Sequence, residues 1–426
     1  MVRHIPRCRR GSNLCLVTIK SITMNQLNRM KAGLILLAFS CLGGCSKKGS
    51  SSPAPVTPVP SMSINDVSRA EGNAGTTAFT FTVSLDKTYT KVVTVNCATA
   101  EGFAKNTEDF TAVNQTLTFA AGETSKTVTV TVSTDDIKEG NDDFTVNLSG
   151  ATNANISKST GIGTIENDDS RVNFNNTGYD APTTYPGYTL AWADEFNAGA
   201  LNLTNWTFEN GDGCPSVCGW GNNELEYYTD RPDNLFFQDG KMIIEAKKET
   251  FNGKPYTSSK ILTRGKKTFK FGRIDLRAKL PKGKGIWPAF WMLPQSNVFG
   301  GWPKSGELDI MENIGHEPNR TYGTLHFGPG PGSTQLGRNY TLPTGIFNDE
   351  FHVFSIEWKL NQIKWLVDGN VYSTYTSADF GSNNYPFNED FFFIINLAVG
   401  GNWPGNPDAS TYLPQWFIVD YLRVYQ

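Results

Sequence analysis

The 426-residue sequence carries no excess of basic charge, no long apolar run, and few cysteines (7) or histidines (4). Its 38 Lys+Arg are balanced by 41 Asp+Glu, a formal net charge of -3. That leaves no basic footprint for sequence-independent binding to nucleic acid, and a neutral partner fits better. No apolar stretch reaches the roughly 18 residues that a membrane-spanning helix needs. The 41 Gly and 22 Pro are too few for a collagenous or low-complexity chain. What the chain does have is aromatic: 10 Trp, 15 Tyr and 27 Phe beside only 19% charged residues. Such a balance suits an all-β protein, a sugar-binding protein, or both. The length suggests two or three domains.

The longest apolar run, residues 32–42, follows Lys31 and ends at Leu42-Gly43-Gly44-Cys45. Small residues before a cysteine after such a run resemble a bacterial lipobox. The resemblance implies cleavage before Cys45, lipidation of its thiol, and a lipoprotein of the bacterial cell envelope held at the outer membrane, its face left open. An ordinary secretory signal is the alternative. Residues 1–44 are read as leader, and Met24 gives a signal of more usual length than Met1, so they take no part in fold reasoning. The Ser- and Pro-rich residues 45–60 read as a flexible tether. Of the cysteines left in the mature chain, Cys214 and Cys218 flank three residues in an exported protein, so a local disulfide is expected.

Residues 61–169 alternate with period two. Phe79, Phe81, Val83 and Leu85 interleave with Thr80, Thr82 and Ser84, and Val128, Val130 and Val132 interleave with Thr. This is the half-buried strand pattern, and some seven short strands suggest an immunoglobulin-like sandwich. Its acids gather in loops. AEG at residues 70–72, EDF at 108–110, DDIKEGNDDFTVNL at 135–148 and GTIENDD at 163–169 resemble a Calx-beta domain. The resemblance implies Ca²⁺ held by Glu71, Asp109, Asp135, Asp136, Glu139 and Asp168. A plain spacer with solvated acidic loops is the alternative.

Residues 170–184 read as a second linker and 185–426 as a further β-rich domain. Ile274, Leu276, Ala278 and Leu280 alternate with Arg273, Asp275, Arg277 and Lys279; Asp368-Gly369 marks a hairpin; residues 391–397 form a continuous apolar run, as for a strand buried on both faces. Within this domain, WPKSGELDIMEN places Glu307, Asp309 and Glu312 within six residues of an apolar strand. Strand parity puts Glu307 and Asp309 on one face. Glu312 is out of phase, and a one-residue bulge near Ile310-Met311 restores it. Three acids then share a surface where repulsion and partial burial raise at least one pKa. A glycosidase needs that arrangement, one carboxylate ionised and one protonated. A metal site is the rival reading, but side chains spread along a strand form a row rather than converge on a point.

GELDIMENIG resembles the bulged catalytic strand of glycoside hydrolase family 16. GRIDLRAKLPKGKGIWPAFWMLP, WGNNELEYYTDRPDN, LHFG at 325–328, FFFIINLAVGGNWPG and the closing VDYLRVYQ fit the same family over all of 185–426. The resemblance implies a concanavalin-like β-jelly roll with a concave sugar cleft, and among its members the laminarinases, endo-β-1,3-glucanases, are the most alike. It implies Glu307 as nucleophile, Glu312 as acid then base, and Asp309 between them as a tuning group, with retention of configuration. Trp287 and Trp291 share a strand face and go together, to cleft or to core; the resemblance assigns them to the cleft, with Trp302 a further candidate and Trp403 a loop residue at the mouth, because sugar C–H faces pack on indoles. Asn223, Glu224, Arg273 and His326 are candidate partners for sugar hydroxyls, and Trp220 is a distal subsite or packing for the 214–218 loop. The resemblance also implies a structural Ca²⁺ at Glu195, Gly240 and Asp420, and no organic cofactor.

The expectation is therefore an all-β, monomeric retaining endo-β-1,3-glucanase on a lipid tether, its partners a β-glucan and the membrane and no nucleic acid. Mixed-linkage β-1,3-1,4-glucan is the alternative substrate, and a non-catalytic glucan-binding lectin or a calcium-dependent adhesion protein the alternative class.

Overall fold

A computed structural model of the protein describes residues 58–330 and 334–426; the leader, Cys45 and most of the tether lie outside the described residues. Among these residues the secondary structure is almost entirely strand, arranged as two successive sandwiches.

The first sandwich packs Ser125–Ser133, Thr76–Leu85, Ser61–Ile64 and Asn155–Lys158 as one sheet against Val67–Ala70, Thr160–Glu166, Asp142–Thr152, Val93–Glu101 and Asn114–Phe119 as the other. The period-two pattern becomes burial: Phe79, Phe81, Val83, Val128, Val130 and Val132 are fully enclosed, and the threonines between them face outward. Phe144 anchors this core, stacked on Phe110 with ring centroids 4.8 Å apart and edge-on to Phe81.

The second sandwich faces a seven-stranded sheet against a larger one. The seven-stranded sheet runs Thr207–Phe208, Lys260–Leu262, Phe391–Val399, Ile286–Pro294, Glu307–Glu312, Arg320–Phe327, Thr334–Thr341. Phe391–Val399 lies inside this sheet and is buried along its whole length, with Asn396 as the one polar residue in the apolar run. Phe393, Ile395 and Leu397 enter the core between the sheets, whereas Phe392 and Ile394 pack on the opposite face beside Trp291 and Leu293. The Asp368-Gly369 hairpin forms, with both residues at positive φ (51 and 77). Positive φ at both central positions matches the turn to the strand twist.

Two expectations change here. The row Arg273, Asp275, Arg277 is buried rather than half-exposed, because residues 170–185 lie across it and do not act as a linker. Arg277 donates to Tyr179 O at 2.8 Å and to Asn176 Oδ1 at 3.0 Å, and the Tyr185 hydroxyl donates to Asp275 at 2.8 Å. Charged residues chosen for a polar face thus become the anchors of a strap, each paired as burial demands.

Candidate active site

Glu307–Glu312 lies between Ile286–Pro294 and Arg320–Phe327. Asp309 pairs with Thr324 and Glu312 with Tyr322, so Ile310 and Met311 together oppose Gly323 alone. This is the bulge that parity called for, and it turns Glu312 to the face that carries Glu307 and Asp309. Underneath, the Trp365 indole donates to Asp309 O at 2.9 Å and the Thr321 hydroxyl to Glu312 O at 3.0 Å, which pins the bulged backbone from the core side.

Each outer carboxylate receives an indole N–H: Trp302 Nε1 to Glu307 Oε2 at 2.8 Å and Trp287 Nε1 to Glu312 Oε1 at 3.2 Å. His326 Nε2 lies 3.2 Å from Asp309 Oδ2 and 3.6 Å from Glu307 Oε1. Burial drives all three acids upward. Glu307 rises to about 8, through burial first and then the Asp309 charge, opposed by His326, the Trp302 hydrogen bond and Lys260. Burial holds Asp309 and Glu312 well above the carboxylate range, and Asp309 adds to the rise of Glu312. Glu307 is therefore the member with the most support for its anion, while burial makes both Asp309 and Glu312 hold their protons. Glu307, Asp309 and His326 also offer ligand atoms within 4.8 Å of one another. Glu312 is outside that group and is served by Trp287, so the row does not converge on one ion.

Trp287 and Trp291 share the open face with the acids. Trp403 packs on Trp287 at 5.5 Å and on Tyr322 at 4.9 Å, and is half-exposed like Trp302. Asn223 donates to Asn402 Oδ1 at 2.8 Å, on the same loop as Trp403, and so stands at this end. Trp291 donates to Asn396 Oδ1 at 2.7 Å. Lys260, paired with Glu209 at 2.7 Å, lies 3.9 Å from the Trp220 ring and 5.5 Å from that of Trp291. The 214–218 disulfide closes the loop that leads into Trp220.

Two assignments are corrected. Arg273 belongs to the other sheet, where it is enclosed by Asp275, Glu357, Ser355 and the Tyr185 ring; it does not reach the acids. Glu224 is buried beneath the site, its carboxylate turned to Asn222 and Tyr228 and raised by burial next to Glu226. It supports the site through Tyr228 and Asn396 rather than offering an oxygen to a sugar. Sequence reasoning passed over Tyr322, Asn396 and Lys260. Tyr322 was readable from its parity with His326, and Asn396 as the one polar residue in an apolar strand; Lys260 had no local signal.

The calcium expectations divide. Glu195 is held in a fork by Arg423 (2.8 Å twice), and Asp420 pairs with Lys241 at 2.8 Å and with Arg277. Both carboxylates of this set are thus engaged in ion pairs, and the expected Ca²⁺ site of backbone carbonyls plus one carboxylate would draw on the main chain at Glu195, Gly240 and Asp420. The smaller domain differs. Glu71, Asp168 and Asp169 form one group and Asp109, Glu139 and Asp142 another, each with ligand atoms within 4.8 Å. Asp135 raises the pKa of both Glu71 and Glu139, and Asp136 that of Asp169, so all six expected residues lie at one end of the sandwich. Burial and mutual repulsion lift Glu71 to about 8 and Glu139 to about 7. Asp142 Oδ1 and Asp169 Oδ2 are buried with no hydrogen-bond partner. Asp142 and Asp169 are additions to the expected set. Unpaired buried carboxylate oxygens fit a hard cation.

A β-sandwich whose open sheet bears a row of carboxylates, each outer one held by an indole, defines a carbohydrate-cleaving acid–base hydrolase. The sequence profile of glycosyl hydrolases family 16 matches residues 222–416 and that of the Calx-beta domain residues 62–170. Over 260 residues the chain is 43% identical to glucan endo-1,3-beta-glucosidase A1 of Niallia circulans, an overlap of 56% of this chain and 38% of that longer protein. It is 39% identical to a beta-glucanase of Rhodothermus marinus over 264 residues, 58% of this chain and 89% of that one. The solved laminarinase catalytic domain of Thermotoga maritima superposes with a TM-score of 0.54 at 44% identity, covering 56% of this chain and 98% of that one. The chain belongs to glycosyl hydrolases family 16 and carries a Calx-beta domain ahead of the catalytic one.

Proposed function

We propose that the protein hydrolyses internal β-1,3-glucosidic bonds of laminarin-type glucans by double displacement. The observation that carries this reading is the bulged row Glu307, Asp309, Glu312 with an indole N–H on each outer acid. Its support from relatives is that the match covers 89% of the Rhodothermus marinus beta-glucanase and 98% of the Thermotoga maritima laminarinase catalytic domain.

In this mechanism Glu307 attacks the anomeric carbon as the anion, steadied by Trp302 and His326, and forms a glycosyl-enzyme. Glu312 protonates the leaving oxygen, then takes a proton from the incoming water, so configuration is retained. Asp309, between them and 3.2 Å from His326 Nε2, tunes the nucleophile. Trp287, Trp291, Trp302 and Trp403 offer ring faces to neutral pyranose units, and among the described residues no cluster of Lys and Arg stands beside the acids to invite a sulfated polymer. The decisive experiment compares products from laminarin, lichenan and agarose. Oligosaccharides from laminarin with the β-anomer formed first are expected; release from agarose alone, or binding to laminarin with no reducing sugar released, would overturn it.

The acidic end of the Calx-beta domain is proposed to bind Ca²⁺ through its two carboxylate groups. Cys45 is proposed as the lipid anchor of an envelope protein, on the strength of its flanking sequence. Metabolic labelling with palmitate, lost in Cys45→Ala, tests the latter.

A further inference from the structure

We infer that the catalytic domain closes the cation site of the smaller domain through Tyr412, so that a divalent cation such as Ca²⁺ fastens the two domains and orders the loop carrying Trp403. This rests on the cation reading given above. Asp109, Glu139 and Asp142 bring oxygens within 4.8 Å, and Asp142, 8% exposed, keeps Oδ1 buried without a partner. Gly140, in the same segment, donates its N–H to the Tyr412 hydroxyl at 2.9 Å, and that hydroxyl lies 3.4 Å from Gly140 O. A Cβ on Gly140 would stand 2.3 Å from Leu413 O and 3.2 Å from Tyr412 Cζ, so the contact is possible only with glycine. Phe103 packs on the Tyr412 ring at 5.6 Å. The wall of the site is thus shared between the two domains.

Tyr412 ends a loop that begins at Gly400 and contains Trp403. The loop is tied to the turn just ahead of Ile286–Pro294 by Gly400 N to Gly285 O (2.7 Å) and by the Thr411 hydroxyl to Lys284 O (2.9 Å). Trp403 in turn packs on Trp287, the donor to Glu312. Drawing Glu139 and Asp142 onto an ion fixes Gly140, Gly140 fixes Tyr412, and the loop loses freedom at its far end. Groups that hold metal ligands in place commonly change metal affinity by about 10- to 100-fold.

The test uses the full chain stripped of metal, titrated with CaCl₂ by calorimetry, with hydrogen exchange followed in residues 137–143 and 400–414. Asp142→Asn should abolish binding at this group. Tyr412→Phe keeps the ring and the fold but loses the hydroxyl; its affinity should fall about tenfold, and the calcium-induced protection of 400–414 seen in wild type should disappear. Equal affinity in wild type and Tyr412→Phe, with no protection of 400–414 in either, would overturn the shared site while leaving the cation reading in place. No calcium binding by wild type would overturn both.

Discussion

At the scale of single residues, the site works by holding like charges in a half-dry place and supporting one of them. Glu307 is raised to about 8 by burial and Asp309, and His326, Trp302 and Lys260 oppose the rise. Activity needs Glu307 ionised, so it should be lost as pH falls through this raised value, placing the acid limb of kcat/KM above the ordinary glutamate range. His326→Gln removes one opposing group, so the acid limb should move to still higher pH; a limb that stays put or moves down in the pH–rate profile would contradict the role of His326. Glu307→Ser should lower kcat by roughly 10³-fold or more, with laminarin binding retained by affinity electrophoresis. Residual turnover near wild type would remove Glu307 from the nucleophile's role.

At the scale of the element, the catalytic strand depends on what lies beneath it. Gly323 is the single residue opposing the Ile310-Met311 bulge, and a Cβ there would stand 2.4 Å from Trp365 Cδ1. The same indole holds Asp309 O. Gly323→Ala therefore pushes the indole against the bulged backbone. It should destabilise the domain by about 1–3 kcal/mol, the usual range for overpacking, and should lower kcat more than it raises KM, because the carboxylates lose register while the surface tryptophans keep theirs. Thermal melting and steady-state kinetics of this variant check both parts; unchanged kcat with a lowered Tm would separate the bulge from catalysis.

At the scale of the whole molecule, the two sandwiches meet through specific contacts. Lys138 of the smaller domain reaches Glu245 of the catalytic domain at 2.6 Å; Glu245 is fully buried, with Trp416 as its other donor at 2.9 Å. Burial raises the Glu245 pKa and Lys138 opposes the rise. Lys138→Ala leaves a buried carboxylate without its cation and should cost about 3 kcal/mol near neutral pH. The sign of its pH dependence follows. Without the lysine Glu245 rises further, so the loss is greatest where the acid must be ionised and shrinks as falling pH protonates it. Denaturant melts of wild type and variant at acid and neutral pH test this; equal stability at neutral pH would make the contact incidental.

What the sequence determined by itself was whatever depends on near neighbours. Period two placed Phe79 to Leu85 and Val128 to Val132 in a core; parity and the ELDIME spacing required the bulge; the indoles of Trp287 and Trp302 followed from short motifs. Tertiary structure decided what distant segments do to one another. Arg273 read as an exposed polar residue because its own strand alternates, yet a strap some ninety residues earlier covers it. Glu195 and Asp420 read as positions of a calcium site, and only folding brings Arg423, Lys241 and Arg277 against their carboxylates. Lys260 and Asn396 joined the site only because their strands pair. Charge neutralisation and burial are properties of the assembled neighbourhood, and no local pattern encodes a partner that folding alone delivers.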